Sequence, residues 1–327
     1  MTTRGSAISR LVLATATMLA AVPVAATARS DYPNRTVRIV VPTPPGAILD
    51  ILPRIIADKL SIRWGQSVVI ENRPGAAQSL GAEAVSKAEP DGYTLLVTPP
   101  GPLVISQYYY PKLGFDPTAF VPVTILVTVP PLLVVNPKVP VSTIEEWIAY
   151  AKANPNKMTY GSPGAGSTPQ LAMEKLMSAA GIRLVHVPYQ GLAPAERDLL
   201  AGHIDVMIDN LGNALPYIKD AKLKLLAVTT QARSPELPDT PAISETLPGF
   251  AHADWFAVVA PPKTPAEIAL TLSLAIAEVL RLPEVAERFR DLSVIPVGSS
   301  PAETAAILKQ DAERWRAVIV AAGIKAD

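Results

Sequence analysis

The sequence predicts an α/β fold of two lobes, each a mainly parallel sheet flanked by helices, with a cleft between the lobes. Three observations predict it. Apolar, β-branched runs alternate with amphipathic stretches along the chain beyond residue 30, the pattern of strand–helix–strand units. Two glycine-containing turns each stand where a strand gives way to a helix: Pro42-Thr43-Pro44-Pro45-Gly46-Ala47-Ile48-Leu49-Asp50 and Gly161-Ser162-Pro163-Gly164-Ala165-Gly166-Ser167-Thr168-Pro169. The length, 327 residues with 49% hydrophobic content, supplies a large core in two domains.

Residues 1–28 read as a signal peptide. Arg4 and Arg10 give the positive start, residues 11–22 the apolar stretch, and Ala26-Thr27-Ala28 a small-x-small cleavage site. That stretch is shorter than the roughly 20 residues of a membrane anchor and is interrupted by threonines. The sequence therefore predicts an exported chain released into the periplasm, without membrane insertion of its own.

Strands are predicted at 37–41, 68–71 and 94–98, with helices at 51–63 and 81–88 between them. In the first helix Leu52, Ile55, Ile56 and Leu60 form one apolar stripe, Asp50 stands as its cap, and Gly65 ends it. Pro53 is tolerated there as a first-turn residue. The apolar segment 120–135 is broken by Pro122, Pro130 and Pro131, which suits core strands. A second unit follows: strand 132–135, helix 144–153, strand 158–161 and helix 169–180, the last capped by Thr168 with Gly181 past its end. Then come strand 184–188, helix 194–201, strand 205–208, helix 214–219 and strand 223–229. The tail, with a strand at 256–260 and helices at 265–281, 283–291 and 301–322, returns to complete the first lobe. The expected division is 29–131 plus 253–327 for lobe 1 and 132–252 for lobe 2.

Composition excludes several functions. Cysteine is absent, so there is no disulfide, thiolate metal site or cysteine nucleophile. The whole chain has 29 basic and 29 acidic residues; losing Arg4 and Arg10 leaves 27 basic residues and a net charge of −2. That balance argues against nucleic acid. The histidines are His186, His203 and His252, with no ligand spacing between them, and no Gly-x-Ser-x-Gly elbow is present. No metal or cofactor is expected.

The two turns are the chemical signal. A strand turning through glycine into a helix leaves backbone N–H groups free at the positive end of the helix dipole, which is a seat for an anion. The second turn has the glycine spacing of a phosphate loop, but Ser167 stands where that loop needs its lysine. Asp205 and Asp209 flank a strand, where either contact with a ligand or turn capping accounts for them. Tyr108, Tyr109 and Tyr110 and Trp255 are read as packing.

Seven motifs, in order, carry a resemblance. They are Tyr32-Pro33 with Pro42 and Gly46; Glu71-Asn72-Arg73-Pro74-Gly75-Ala76; Pro90-Asp91-Gly92-Tyr93-Thr94-Leu95; Tyr160-Gly161-Ser162-Pro163-Gly164 with Gly166-Ser167 and Leu171; Val187-Pro188-Tyr189-Gln190-Gly191; Gly202-His203-Ile204-Asp205-Val206-Met207; and Leu226-Ala227-Val228-Thr229. Over essentially the whole mature chain the sequence resembles the substrate-binding proteins of tripartite tricarboxylate transporters, the Bug receptors. The resemblance implies a two-lobed periplasmic binding fold closing on a small carboxylate, two integral-membrane transporter subunits as partners, and a monomer. It carries the ligand loops onto Gly46, Ala47, Ile48 and Asp50 in lobe 1 and onto Ser162, Gly164, Ala165, Gly166, Ser167 and Thr168 in lobe 2, with Thr98 and Asp209 at strand ends. An exported hydrolase and a receptor presenting its ligand to a sensor are the rival readings. Departures from the family pattern, Ala47-Ile48-Leu49 after Gly46, Gln170, and Pro99-Pro100 after Thr98, make the cleft less polar. A longer dicarboxylate or an aromatic acid is therefore expected rather than citrate. Valine at Gly46 or Gly166 is expected to abolish binding by filling the anion seat.

Overall fold

In the computed structural model, which describes residues 1–2, 32–234 and 236–322, the apolar run Val37–Val41 forms strand β1 and leads through the first turn into helix α1 (Ile48–Trp64). The segment read as a signal peptide, beyond its first two residues, lies outside the described residues. Next come β2 (Val68–Asn72), α2 (Ser79–Ser86) and β3 (Thr94–Thr98). A π-helical turn over Gly101–Ile105 then runs into the short α3 (Ser106–Tyr109), ahead of β4 (Val121–Val129). The second unit comprises β5 (Pro131–Val135), α4 (Ile144–Ala153), β6 (Thr159–Ser162), α5 (Thr168–Ala180), β7 (Val185–Pro188), α6 (Leu192–Ala201), β8 (Val206–Asn210), α7 (Leu211–Lys219), β9 (Lys224–Val228) and α8 (Ile243–Thr246). The tail consists of β10 (Asp254–Ala260), α9 (Ala266–Leu280), α10 (Pro283–Asp291), β11 (Ile295–Pro296) and α11 (Pro301–Ala322).

The strands make two sheets, one per lobe. The first has the order β11-β4-β10-β3-β1-β2 and the second β7-β6-β8-β5-β9. The returning tail enters the first sheet between β3 and β4, as the sequence anticipates. Both sheets are mixed rather than mainly parallel. Strands β2, β1 and β3 are mutually parallel, as are β7, β6 and β8, but β10 runs against β3 and β4, and β5 runs against β8 and β9. Two of the reversed strands, β5 and β10, have one cause. Strand β5 follows β4 after Pro130 alone, and β10 is the return from the second sheet, so each enters its lobe from the cleft while its neighbours run toward it.

Helix starts also differ from expectation. Helix α1 begins at Ile48, three residues early, which makes Ala47 its N-cap, places Asp50 at its third position and puts Pro53 inside it. There Pro53 removes the donor that the Leu49 carbonyl would otherwise receive. Gly65, in the left-handed conformation, closes the helix as expected. Helix α5 begins at Thr168 with Ser167 as N-cap, so Thr168 is not the cap, and neither hydroxyl makes a capping bond. Each shift moves the first-turn N–H groups closer to the cleft.

The lobe cores flank the sheets. Trp147 and Tyr160 are fully buried in the second lobe, packed among Leu133, Ile144, Leu176 and Phe250. In the first, Leu96, Ile125 and Val259 meet Trp315 and Ile319 of α11, and Leu171 of α5 joins that cluster from the other lobe. Trp255, read as packing, donates from Nε1 to Asp311 Oδ2 at 2.6 Å. Among the described residues no helix is long and apolar enough to cross a membrane.

Candidate functional site

The first turn is organised by Asp50. Its carboxylate accepts from Gly46 N–H (3.1 Å), Asn72 Nδ2 (2.8 Å) and Arg54 Nε and Nη2 (3.1 and 2.8 Å). Asn72 in turn donates to the Thr43 carbonyl. Burial raises the Asp50 pKa, but the bonds from Arg54, Asn72 and Gly46 outweigh it and hold the carboxyl below its ordinary value. Asp50 is thus a staple at the third position of α1, reaching back past the N-cap, and its oxygens are occupied by the loop itself. Arg54 is the helix-surface pair of Asp50, and Arg73 pairs with Glu71.

With Gly46 N–H taken and Ile48 N–H donated to Asn213 Oδ1 of α7 (3.2 Å), the start of α1 has Ala47 and Leu49 N–H left. Among the described residues neither is matched to an acceptor, as expected of a first helical turn. Leu49 is one residue the sequence reading missed, because the helix was placed three residues too late.

The second turn is built differently. Ser162, fully buried, holds it through Oγ, which receives Gly164 N–H (3.2 Å) and lies 2.7 Å from His186 Nε2. Gly166 N–H donates to Gln170 Oε1 (2.9 Å), and Ser167 N–H to the Gly164 carbonyl. The N–H groups of Ala165 and Thr168 have no acceptor in the chain among the described residues. The hydroxyls of Ser167 and Thr168 are buried and unpartnered.

Residues from the two turns line one small cavity, with about 40 Å³ of room for water-sized guests. Thr43, Ala47, Leu49, Gln78, Pro99, Asp254 and Phe256 face it from the first lobe, and Pro163, Thr168, Pro169, Leu192 and Asn210 from the second. Strand ends of both sheets therefore converge on it, as the α/β rule for ligand sites requires. Of the expected residues, Ala47 and Thr168 line the cavity directly. Thr98 is buried with its hydroxyl bonded to the Pro99 carbonyl, and Pro99 lines the wall instead. Asp254, Phe256 and Gln78 carried no sequence signal, because they reach the cleft only through the returning strand and the loop before α2.

Asp209 turns away from the cavity. One oxygen accepts Asn210 N–H, and its carboxyl faces Glu196 in the core. Burial first, then the adjoining Glu196 charge, pushes the Asp209 carboxyl well above its ordinary range, and burial pushes Glu196 up as well.

Ser162 with His186 has the outline of a nucleophile and base. Burial lowers the imidazole to about 4, so it is neutral near pH 7. Yet Ser162 is inaccessible and is not part of the cavity wall, and the stacked neighbour of His186 is the Tyr160 ring. A substrate has no path to this serine.

The lobes also meet across the cleft elsewhere. Tyr110 Oη donates to the Ala165 carbonyl, Gly212 of α7 abuts the Leu292 carbonyl, and Gly164 leaves room for Ala77 and the Tyr189 carbonyl. Together with Asn213 these contacts belong to a closed arrangement. Asn213→Ala is expected to weaken ligand capture about fivefold, the ~1 kcal/mol of one ordinary hydrogen bond. Calorimetry with a bound carboxylate checks this; unchanged affinity would remove Asn213 from the closing contacts.

Comparison with known proteins follows this geometry. Residues 52–324 match a family profile described as the tripartite tricarboxylate transporter family receptor. A protein from the tcbD-tcbE intergenic region of Pseudomonas sp. (strain P51) is 37% identical over 292 residues, covering 88% of this chain and 87% of its own. Among solved structures, R. palustris Rpa4515 with adipate superposes with a TM-score of 0.87 at 37% identity, covering 90% of this chain and 100% of that one. MatC (Rpa3494) from Rhodopseudomonas palustris with bound malate gives a TM-score of 0.84 at 31% identity, covering 88% and 100%.

Proposed function

The chain belongs to the tripartite tricarboxylate transporter receptor family, and from that premise we propose a monomeric periplasmic receptor that closes on one small carboxylate and hands it to two integral-membrane transporter subunits. Residues 29–131 with 253–327 form one jaw and 132–252 the other, after a signal peptide is cleaved near Ala28. The hinge is the pair of crossings at Pro130 and just before Asp254.

The observation carrying this reading is the convergence of unpaired first-turn amides on one cavity. Ala47 and Leu49 at the start of α1 and Thr168 at the start of α5, whose N–H groups have no acceptor in the chain among the described residues, line the same space from opposite lobes. Each hydrogen bond to a carboxylate contributes roughly 1.5–3 kcal/mol. Four or five, including the hydroxyls of Thr43 and Thr168, offset closure and leave about −8 kcal/mol, a micromolar affinity. The apolar wall of Pro99, Leu192 and Phe256 suits a ligand with an apolar body, an aromatic acid or a longer aliphatic one.

A thermal-shift screen and calorimetry against mono-, di- and aromatic carboxylates test this. A bound acid at a hundred times its dissociation constant stabilises the closed protein by about 2.7 kcal/mol. The acid should be recovered unchanged. Silence across the panel, or release of a modified product, would overturn the receptor reading.

A further inference from the structure

The cavity contains an acceptor that a plain dicarboxylate leaves unsatisfied. Asp254, the first residue of β10, is 4% exposed and lines the cavity. Its Oδ1 has no hydrogen-bond partner, and its Oδ2 lies 3.8 Å from His252 Nε2, beyond hydrogen-bond reach. Gln78, 7% exposed, faces the same space with Oε1 also unpartnered. It ends a run of three residues, Ala76, Ala77 and Gln78, held at φ of 47, 46 and 76°, a conformation their side chains disfavour and which persists only where the surroundings impose it. Thr43 Oγ1 and Thr168 Oγ1 are buried and unpartnered in the same wall. A hydroxyl or a primary amide can serve a ligand's donor or its acceptor, whereas a carboxylate only accepts. Asp254 therefore sets the requirement.

The topology says where that requirement falls. In the first sheet β3 lies between β1 and β10. Two strand spacings, about 10 Å, thus separate the line of β1, whose turn carries the free amides of Ala47 and Leu49, from Asp254. The anion seat and the acceptor stand apart, and Pro99, Leu192 and Phe256 give the same cavity an apolar wall.

Resting on the carboxylate-receptor reading, we propose that the ligand carries a hydrogen-bond donor, a hydroxyl or an ammonium, at the end remote from its carboxylate, and that Asp254 selects it against dicarboxylates. A second carboxylate at that position would face Asp254 in a largely enclosed space, where like charges repel far more than in water. A donor satisfies the buried oxygen instead.

Calorimetry of the full chain with matched acids tests this: caproate, ω-hydroxycaproate, ε-aminocaproate and adipate, and benzoate against para-hydroxybenzoate. In at least one series the donor-bearing acid is expected to bind about tenfold tighter than its parent, the effect of one charge-assisted hydrogen bond, and in the aliphatic series also tighter than adipate. Asp254→Asn should erase the preference for the ammonium and improve adipate. Adipate binding tightest to the wild-type chain, or parent acids binding as well as their donor-bearing partners, overturns the selectivity while leaving a carboxylate receptor standing. Failure of all six acids and of the wider carboxylate panel overturns both. Should Asp254→Asn fail to fold, the wild-type series decides alone.

Discussion

Gly166→Val is expected to abolish ligand capture, lowering affinity at least a hundredfold. Gly166 sits at φ 81°, where a β-branched residue is a true outlier. A Cβ built on it would lie 2.9 Å from the Tyr109 ring and 3.2 Å from the Tyr110 ring and hydroxyl. Neither tyrosine has room to retreat, since Tyr109 is buried and Tyr110 is bonded to the Ala165 carbonyl. The turn must therefore move, taking with it the unpaired amides of Ala165 and of Thr168, the latter in the cavity wall. Strain of about 1–3 kcal/mol adds to the steric cost. Gly46→Val provides the contrast. Its φ is 106°, but a Cβ there meets nothing within 4 Å, so only strain applies and a loss of roughly tenfold is expected. Both expected effects are those of a displaced turn, whereas the sequence suggested a side chain filling the anion seat. Calorimetry on both variants, with circular dichroism to confirm folding, measures them. Near-normal affinity in a folded Gly166→Val would place the ligand away from the second turn.

Asp50→Ala is expected to cost about 2–4 kcal/mol of stability, the range for breaking a buried charged network. The change strips acceptors from Gly46 N–H, Asn72 and Arg54 together. It also frees the turn that aims Ala47 and Leu49, so binding should weaken at least tenfold. The contribution has a pH signature. Because the folded carboxyl sits below the ordinary aspartate value of 3.8, its stabilisation is fully present above that pH and disappears as pH falls through the folded value. Urea titrations at pH 7 and at successively lower pH below 4 should show wild type and variant converging. A gap that stays constant down to the lowest pH would mean that the Asp50 charge is not what holds the turn.

Much of the fold was legible because it rests on local periodicity. The apolar runs at 37–41 and 94–98 and the proline- and glycine-bounded helices 283–291 and 301–322 need only their own residues to identify them. The return of the tail into the first lobe was legible too, from a strand-forming run after the second unit. Helix starts were misplaced by one to three residues at α1, α5, α6 and α7: the first turns of α5, α6 and α7 carry glycine, proline or small residues that read as loop, and at α1 Asp50 read as the cap. Those misplaced turns are where the free amides lie. Asp50 accordingly looked like a ligand contact and a cap, when it is the third residue of its helix and is occupied internally. Asp209 looked exposed at a strand end, when its partner Glu196 comes from a helix thirteen residues earlier.

Two glycine turns at helix beginnings, a cysteine-free chain, and an α/β pattern in two units follow from the sequence alone, since each depends on residues adjacent in the chain. Which amides stay free, which carboxylates are consumed, and which strand brings Asp254 and Phe256 to the cavity were decided by tertiary structure. Hydrogen bonds between distant segments, Ile48 to Asn213 and Tyr110 to Ala165 among them, allocate each polar group to the fold or to the ligand. A local pattern contains no record of that competition.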